Sequence, residues 1–250
     1  MSQKDKIIWL CGGGTLGPVM PLIAFARAWR SVGDAPTFVW CGTAEGPEAS
    51  FVQAEGIQFV PIPVVRLARS FSFETIRLPV SFVQAILAIL KLWRVSPPSA
   101  IVCAGGFTGA TVGLVAAMRG VPIFVHNPDV SVLLTTRVME RFARRITTSW
   151  KETIEHLPRA KTQWIGHPTP SDFVKSDQPF FHSTKPLVLV MGGGTGSLWL
   201  NQTMETICDS LTVEANVLHL TGEGKGTVQD RESYQSIPSL SHASLVAAIH

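Results

Sequence analysis

Ile7-Ile8-Trp9-Leu10-Cys11-Gly12-Gly13-Gly14-Thr15-Leu16-Gly17 is an apolar run of strand length that meets a cluster of glycines. Pro18 follows, and then Leu22, Ile23, Ala26, Trp29 and Arg30 fall at helical spacing. A strand, a glycine loop and a helix in that order make the repeating unit of an open parallel α/β sheet. Glycines let such a loop turn sharply and approach a ligand closely, and the positive end of the helix behind it favours an anion. The unit has an echo. Leu187-Val188-Leu189-Val190-Met191 runs into Gly192-Gly193-Gly194-Thr195-Gly196-Ser197, followed by Leu198, Leu200, Met204 and Ile207 at helical spacing. Two copies far apart in one chain point to two Rossmann-like domains facing one cleft.

Between them the pattern keeps alternating. Pro36–Cys41 and Ile57–Ile62 read as strands around a short helix at 47–54, and Pro61 and Pro63 put the later strand at a sheet edge. One long helical pattern spans 79–95 and closes at Pro97-Pro98. Ala100–Ala104 reads as a strand stopping at Gly105-Gly106-Phe107, with a helix of small residues running on to Gly120. Val121–His126 is a strand, Ser131–Phe142 a helix with Ser131 as cap, and Arg145–Ser149 and Thr162–Ile165 are short strands. The reading is therefore α/β with mostly parallel sheets: a first domain over 1–165, a linker rich in proline over 166–186, and a partial second domain over 187–250. The second domain offers only strand, helix, strand and the loop 222–226, which cannot bury both faces of a sheet.

The 250 residues are 46% hydrophobic and 16% charged, enough for a substantial core and against disorder. A net charge of +3 without a dense basic run gives no argument for nucleic acid as a partner. Cys11, Cys41, Cys103 and Cys208 show no CxxC or zinc spacing and read as free thiols of a reduced cytosolic protein; no metal site is expected. No leader precedes Ile7, and no apolar run reaches the length of a membrane span.

Gly12, Gly14 and Gly17 match G-x-G-x-x-G, but a dinucleotide oxidoreductase needs an acid closing the second strand, where Trp40-Cys41-Gly42-Thr43 stands and the nearest acid is Glu45. No Lys-Ser or Lys-Thr follows either glycine cluster, which excludes a P-loop. The glycines could serve tight turns alone, which explains one loop better than it explains three. All three loops fall after strands, on the carboxyl edge where open α/β folds bind ligands, and main-chain amides there hold a diphosphate without metal or basic side chains. His156, His182, His219, His242 and His250 have no ligand spacing; only His126 and His167 are placed to face a cleft.

Six stretches carry a resemblance: the loop from Gly13 to Trp29, Gly42-Thr43 with Glu48, Gly105-Gly106-Phe107, His126-Asn127-Pro128, Gly166-His167-Pro168, and Gly192 to Gln202. Together they resemble the MurG family of glycosyltransferase family 28, in family order over about the whole chain. The resemblance implies a GT-B fold, with two Rossmann-like domains of which the second is incomplete. It implies transfer of N-acetylglucosamine from UDP-GlcNAc to an undecaprenyl-diphosphate-linked muramyl-pentapeptide, lipid I to lipid II, in peptidoglycan synthesis, with no cofactor. By resemblance the acceptor diphosphate falls to Gly13, Gly14, Thr15, Gly17, Gly105, Gly106, Phe107 and Asn127. The donor falls to Gly193, Gly194, Thr195, Gly196, Ser197 and Asn201. The sequence departs from the family pattern in several places. The family's Gly-Gly-His reads Leu16-Gly17-Pro18, its His-Glu-Gln-Asn reads His126-Asn127-Pro128-Asp129, no arginine follows His167-Pro168, and Gly194 replaces a serine. Proline cannot move a proton, so His126 and Asp129 are the candidate bases by position. The donor-gripping glutamate of the family would lie beyond His250. A partner-dependent protein that binds a polyprenyl diphosphate without catalysis is the alternative.

The helix Phe82–Trp93 carries Leu, Ile, Val and Trp on nearly every side, with Arg66 and Arg69 before it and Arg77, Lys91 and Arg94 around it. Apolar surface ringed by basic residues suits an anionic bilayer. Phe82, Ile86, Leu87, Leu90 and Trp93 with those bases form the expected patch, and the family resemblance implies peripheral attachment at the cytoplasmic face of the cell membrane. A core helix is the competing reading, and one face must be core in either case.

Overall fold

The computed structural model describes residues 6–44, 46, 48–63, 73–169, 180–193, 196–226, 229–240, 244, 245 and 248, with the backbone alone over 73–79. Arg66 and Arg69, the side chain of Arg77, residues 170–179 of the expected linker, and Gly194 and Thr195 lie outside the described residues. The chain forms two compact units, Met1–Pro170 and Ser171–His250.

Unit 1 runs β1 (Ile7–Cys11), α1 (Val19–Ser31), β2 (Thr37–Thr43), α2 (Glu48–Ala54), β3 (Gln58–Ile62), α3 (Phe73–Val95), β4 (Ala100–Cys103), α4 (Gly106–Met118), β5 (Ile123–Asn127), α5 (Leu134–Met139), β6 (Ala143–Thr148) and β7 (Thr162–Trp164). Its seven strands are all parallel in the order β3-β2-β1-β4-β5-β6-β7. β1 is central because it is apolar on both faces. Ile8 and Leu10 pack against α1, while Trp9 and Cys11 join the core under α3 and α4. β3, with Pro61, is the edge strand expected. Parallel order brings the carboxyl ends of β1, β2, β4 and β5 to one edge, and their loops with them.

Three local expectations are revised. The helix expected over 131–142 is only Leu134–Met139, and Ser131 does not cap it. Asn127 shapes the segment instead. Its Nδ2 donates to the carbonyls of Asp129 (2.7 Å) and Ser131 (3.0 Å), and its Oδ1 accepts from the Leu133 amide and the Thr136 hydroxyl (both 2.9 Å). That clamp keeps 128–133 in a loop. At the other end β6 opens two residues early, at Ala143. Second, α3 buries Ala85, Ile89 and Leu92, and Ile86, Leu90 and Trp93 also pack on the core, Trp93 edge-on to Trp9 at 5.1 Å. They are not part of an outer patch. Among the described side chains of α3 the exposed apolar ones are Val80, Phe82, Val83, Leu87 and, at its end, Val95, with Lys91 and Arg94 exposed beside them. Among the described residues no helix is long and apolar enough to cross a membrane.

The third revision is in unit 2, which runs β8 (Leu187–Met191), α6 (Leu198–Glu214), β9 (Asn216–Leu220) and β10 (Tyr234–Ile237). These strands form a separate parallel sheet in the order β10-β9-β8. No local pattern marks β10, since Tyr-Gln-Ser-Ile lacks the apolar–polar alternation of a strand. Burial makes it one: Tyr234 is fully buried with Met204, Cys208 and Val217.

Candidate functional site

Loops after β1, β2, β4 and β5 enclose a cavity of about 360 Å³ at the carboxyl edge of the first sheet. It gathers Gly13, Gly14, Thr15, Gly17, Gly106, Phe107 and Asp129, all singled out by sequence, with Pro18, Thr43, Pro128 and Leu133. Asp129 is the ionisable side chain of that wall, and it is exposed.

The loops interlock through glycines. Gly106 sits at φ 76°, and a Cβ there would stand 3.0 Å from the Gly13 carbonyl oxygen. A side chain at Gly106 would crowd the Gly13 backbone, and one at Gly13 would run into the Glu48 carboxylate. Trp40 Nε1 donates to the Gly12 carbonyl (2.9 Å), and the Thr135 hydroxyl donates to the Gly106 carbonyl (2.9 Å). Beneath the first loop lies Glu48, fully buried at the start of α2, where the helix dipole favours a carboxylate. It accepts the amide and hydroxyl of Thr43 (2.7 and 2.6 Å) and the Gly14 amide (3.3 Å to either oxygen). Sequence patterning gave Glu48 no role beyond the family resemblance; a glutamate at the start of a short helix announces nothing about the loop it holds.

These bonds relocate the anion-binding donors. The Gly14 amide is engaged by Glu48. α1 offers no open donor in its first turn, since the amides of Val19 and Met20 donate to the Leu16 carbonyl (3.0 and 3.2 Å) and Pro21 has no N–H. α4 is different. It starts at Gly106 behind Gly105, which has no side chain to cap it, so the amides of Gly106, Phe107 and Thr108 open the helix without intrahelical partners. The Thr108 hydroxyl in that turn is buried without a hydrogen-bond partner. The starts of both helices border the cavity, through Gly17 and Pro18 before α1 and Gly106 and Phe107 in α4, but the open amides are those of α4.

Three expected site residues do not line this cavity, the first being Gly105, which is buried at φ 121° ahead of α4. Asn127 is fully buried, and its four hydrogen bonds exhaust its side-chain capacity, so it holds the loop rather than a ligand. His126 is 5% exposed and lies against a second, apolar cavity between α1 and β4–β6. Its Nδ1 meets the Thr147 hydroxyl (2.9 Å) and its Nε2 the Ser149 hydroxyl (3.0 Å), which in turn meets His167 Nδ1 (2.9 Å). Burial, with His167 adding to it, pushes the His126 imidazolium down to about 4. Burial also lowers His167, opposed by the charge of Asp129. With both rings neutral the chain has one consistent direction: His167 N–H to Ser149, Ser149 O–H to His126, His126 N–H to Thr147, and the Thr147 hydroxyl on toward the Val125 carbonyl (3.5 Å).

In unit 2, Gly193 is exposed at the end of β8, and Gly196 sits at φ 72° pressed against the Thr221 carbonyl. Ser197 caps α6, accepting the Leu200 amide at 3.4 Å. Asn201 is 2% exposed and donates to the carbonyls of Thr221 (3.0 Å) and Lys225 (2.9 Å), while its Oδ1 accepts from His219 Nε2 (3.1 Å). That fixes the His219 tautomer, so Nδ1 accepts from the Tyr234 hydroxyl (2.7 Å). Burial lowers His219 and raises Tyr234 to about 12. Asn201 therefore ties α6 to the loop after β9; as a donor ligand it is revised to a structural residue.

Residues 8–148 match the model of the glycosyltransferase family 28 N-terminal domain. The chain belongs to glycosyltransferase family 28. It is similar to the UDP-N-acetylglucosamine–N-acetylmuramyl-(pentapeptide) pyrophosphoryl-undecaprenol N-acetylglucosamine transferases of Lachnospira eligens (28% identity over 88% of this chain and 63% of the relative) and Staphylococcus carnosus (28%, 90% and 64%). The family 28 chain thus spans slightly under two thirds of the length of those relatives. Among solved structures it is similar to Acinetobacter baumannii MurG (17% identity, TM-score 0.65, 98% of this chain and 71% of that one) and to the S. aureus MnaA–UDP co-structure (11%, 0.67, 96% and 71%). These likenesses give the fold class: GT-B, with the second Rossmann-like unit represented by three strands among the described residues.

Proposed function

We propose that unit 1 of this family 28 chain seats the diphosphate of an undecaprenyl-linked muramyl-pentapeptide against the start of α4, for transfer of N-acetylglucosamine from UDP-GlcNAc. The observation that carries the reading is the uncapped first turn of α4, whose Gly106 and Phe107 line a cavity walled by the interlocked loops of Gly13 and Gly106. Asp129 is the general base of this proposal: its carboxylate takes the proton of the acceptor hydroxyl as that oxygen attacks the anomeric carbon and UDP departs with inversion. His126 takes no part in it, being held by Thr147 and Ser149. Main-chain amides at Gly193, Gly194, Thr195 and Gly196 and the start of α6 are proposed to receive the UDP phosphates. The exposed Val80, Phe82, Val83 and Leu87, flanked by Lys91 and Arg94, are proposed to rest on the cytoplasmic face of the membrane where the lipid acceptor resides.

A second reading is favoured by the three-stranded sheet of unit 2: the chain binds the acceptor and depends on further polypeptide for the donor half. Separate titrations with undecaprenyl diphosphate in micelles and with UDP-GlcNAc, followed by a transfer assay, distinguish the two. Binding of both with transfer that Asp129→Asn abolishes supports the enzyme. Acceptor binding alone supports the dependent protein, and no diphosphate binding refutes both.

A further inference from the structure

Beside the cavity, three aromatic side chains gather on one residue. Ser149 follows β6 at the carboxyl edge of the first sheet and is 8% exposed. Its carbonyl accepts from Trp164 Nε1 (3.1 Å), its hydroxyl meets His167 Nδ1 (2.9 Å), and Trp150 is the next residue in the chain. Trp150 in turn donates its Nε1 to the Pro128 carbonyl (3.1 Å). Pro128 and Asp129 both line the cavity, and the charge of Asp129 reaches His167. The cluster therefore adjoins the cavity across the Pro128–Asp129 step.

The indoles are held but not covered. Trp150 is 49% and Trp164 50% exposed, and neither joins a core of unit 1. Among the described residues no aromatic ring or cation packs on either of them. Each N–H is engaged by a main-chain carbonyl, so neither ring can turn away without stranding that bond. What they present to solvent is carbon surface, beside the Asp129 carboxylate and the exposed imidazole of His167, whose Nε2 has no partner among the described residues. A pyranose matches that chemistry, because it lays an apolar C–H face on an aromatic ring while its hydroxyls meet polar groups at the rim. A sugar is also what such a position would meet. A diphosphate at the start of α4 carries its sugar through a single oxygen, which keeps that ring next to the cavity wall.

We propose that Trp150 and Trp164 form the platform for the pyranose of the acceptor, with Asp129 and His167 at its hydroxyls. The proposal rests on the reading of the cavity as the diphosphate seat. The platform fixes the plane of the sugar, and with it which hydroxyl meets Asp129.

Two lipids titrated in micelles against the 250-residue chain test this: undecaprenyl diphosphate, and the same lipid carrying the muramyl sugar without its peptide. The expected result is binding of the sugar-bearing lipid about tenfold tighter than the bare one. Trp150→Leu and Trp164→Leu should each cut that preference by about fivefold and leave affinity for the bare lipid within about twofold. Trp150→Phe and Trp164→Phe lose the N–H but keep an aromatic face, and should retain most of the preference. Equal affinity of the wild type for the two lipids overturns the platform and leaves the diphosphate seat standing. Leucine variants that weaken both lipids alike overturn it too, as do phenylalanine variants as poor as the leucine ones, since lost N–H bonds would then explain the effect. If folded wild type binds neither lipid, the seat at α4 fails and the platform with it.

Discussion

Acidification should destabilise unit 1 through His126, and the size of the effect follows from its surroundings. In the neutral chain from His167 through Ser149 and His126 to Thr147, each hydroxyl donates once and accepts once. A second proton on His126 would sit at Nε2, facing the Ser149 proton it now accepts, and at 5% exposure water cannot take its place. Burial, with the charge of His167 adding to it, lowers the native imidazolium from 6.5 to about 4. A depressed histidine means that the unfolded chain binds more protons than the native one between those values, so stability rises with pH across the window and is lost as pH falls from about 6.5 toward 4. At about 1.4 kcal/mol for each tenfold difference in proton affinity, the interval amounts to about 3 kcal/mol. That is a large part of the ~5–15 kcal/mol of a typical domain. His167, lowered in the same direction, adds to the trend, so the assay must isolate His126. Urea unfolding of the wild type and of His126→Gln, each at a series of pH values from neutral to about 4, does so. The wild type should lose about 3 kcal/mol more than the variant over that range. Parallel pH profiles for the two proteins, or an NMR titration of the His126 ring centred near 6.5, would refute the reasoning.

Gly106→Ala should lower stability by about 1–3 kcal/mol in thermal denaturation, because its φ of 76° is strained for alanine and the new methyl would stand 3.0 Å from the Gly13 carbonyl. Asn127→Ala should cost about 3 kcal/mol by the same measurement, since it strands two carbonyls, an amide and a hydroxyl around the 128–136 loop. Phe82→Glu with Leu87→Glu should abolish sedimentation with anionic vesicles and leave the melting temperature within a few degrees, whereas Leu90→Glu should unfold the protein because Leu90 packs on the core. Cys11, Cys41 and Cys103 are register partners on β1, β2 and β4, fully buried, and burial raises the Cys11 thiol well above its ordinary range. They should stay inert to an aromatic disulfide reagent until urea unfolds unit 1, a rate read at visible wavelengths.

What the sequence could determine by itself was whatever rests on local pattern. Apolar runs ending in glycine, followed by helical spacing, marked β1, β4 and β8 and the loops behind them, because steric rules tie those residue types to turns and close approach wherever they occur. Pro61 marked an edge for the same reason, and the chain order of the motifs carried the family. Only the tertiary structure decided which groups those loops leave open. Glu48, 34 residues from Gly14, engages that amide; Asn127 consumes its own side chain in shaping a loop; and the opening donors pass from α1 to α4. β10 exists because Tyr234 finds His219 and a core to enter. Hydrogen-bond capacity and burial belong to pairs of residues distant in sequence, so no local pattern records them, and they settle which of two equally plausible polar residues, His126 or Asp129, faces the cavity.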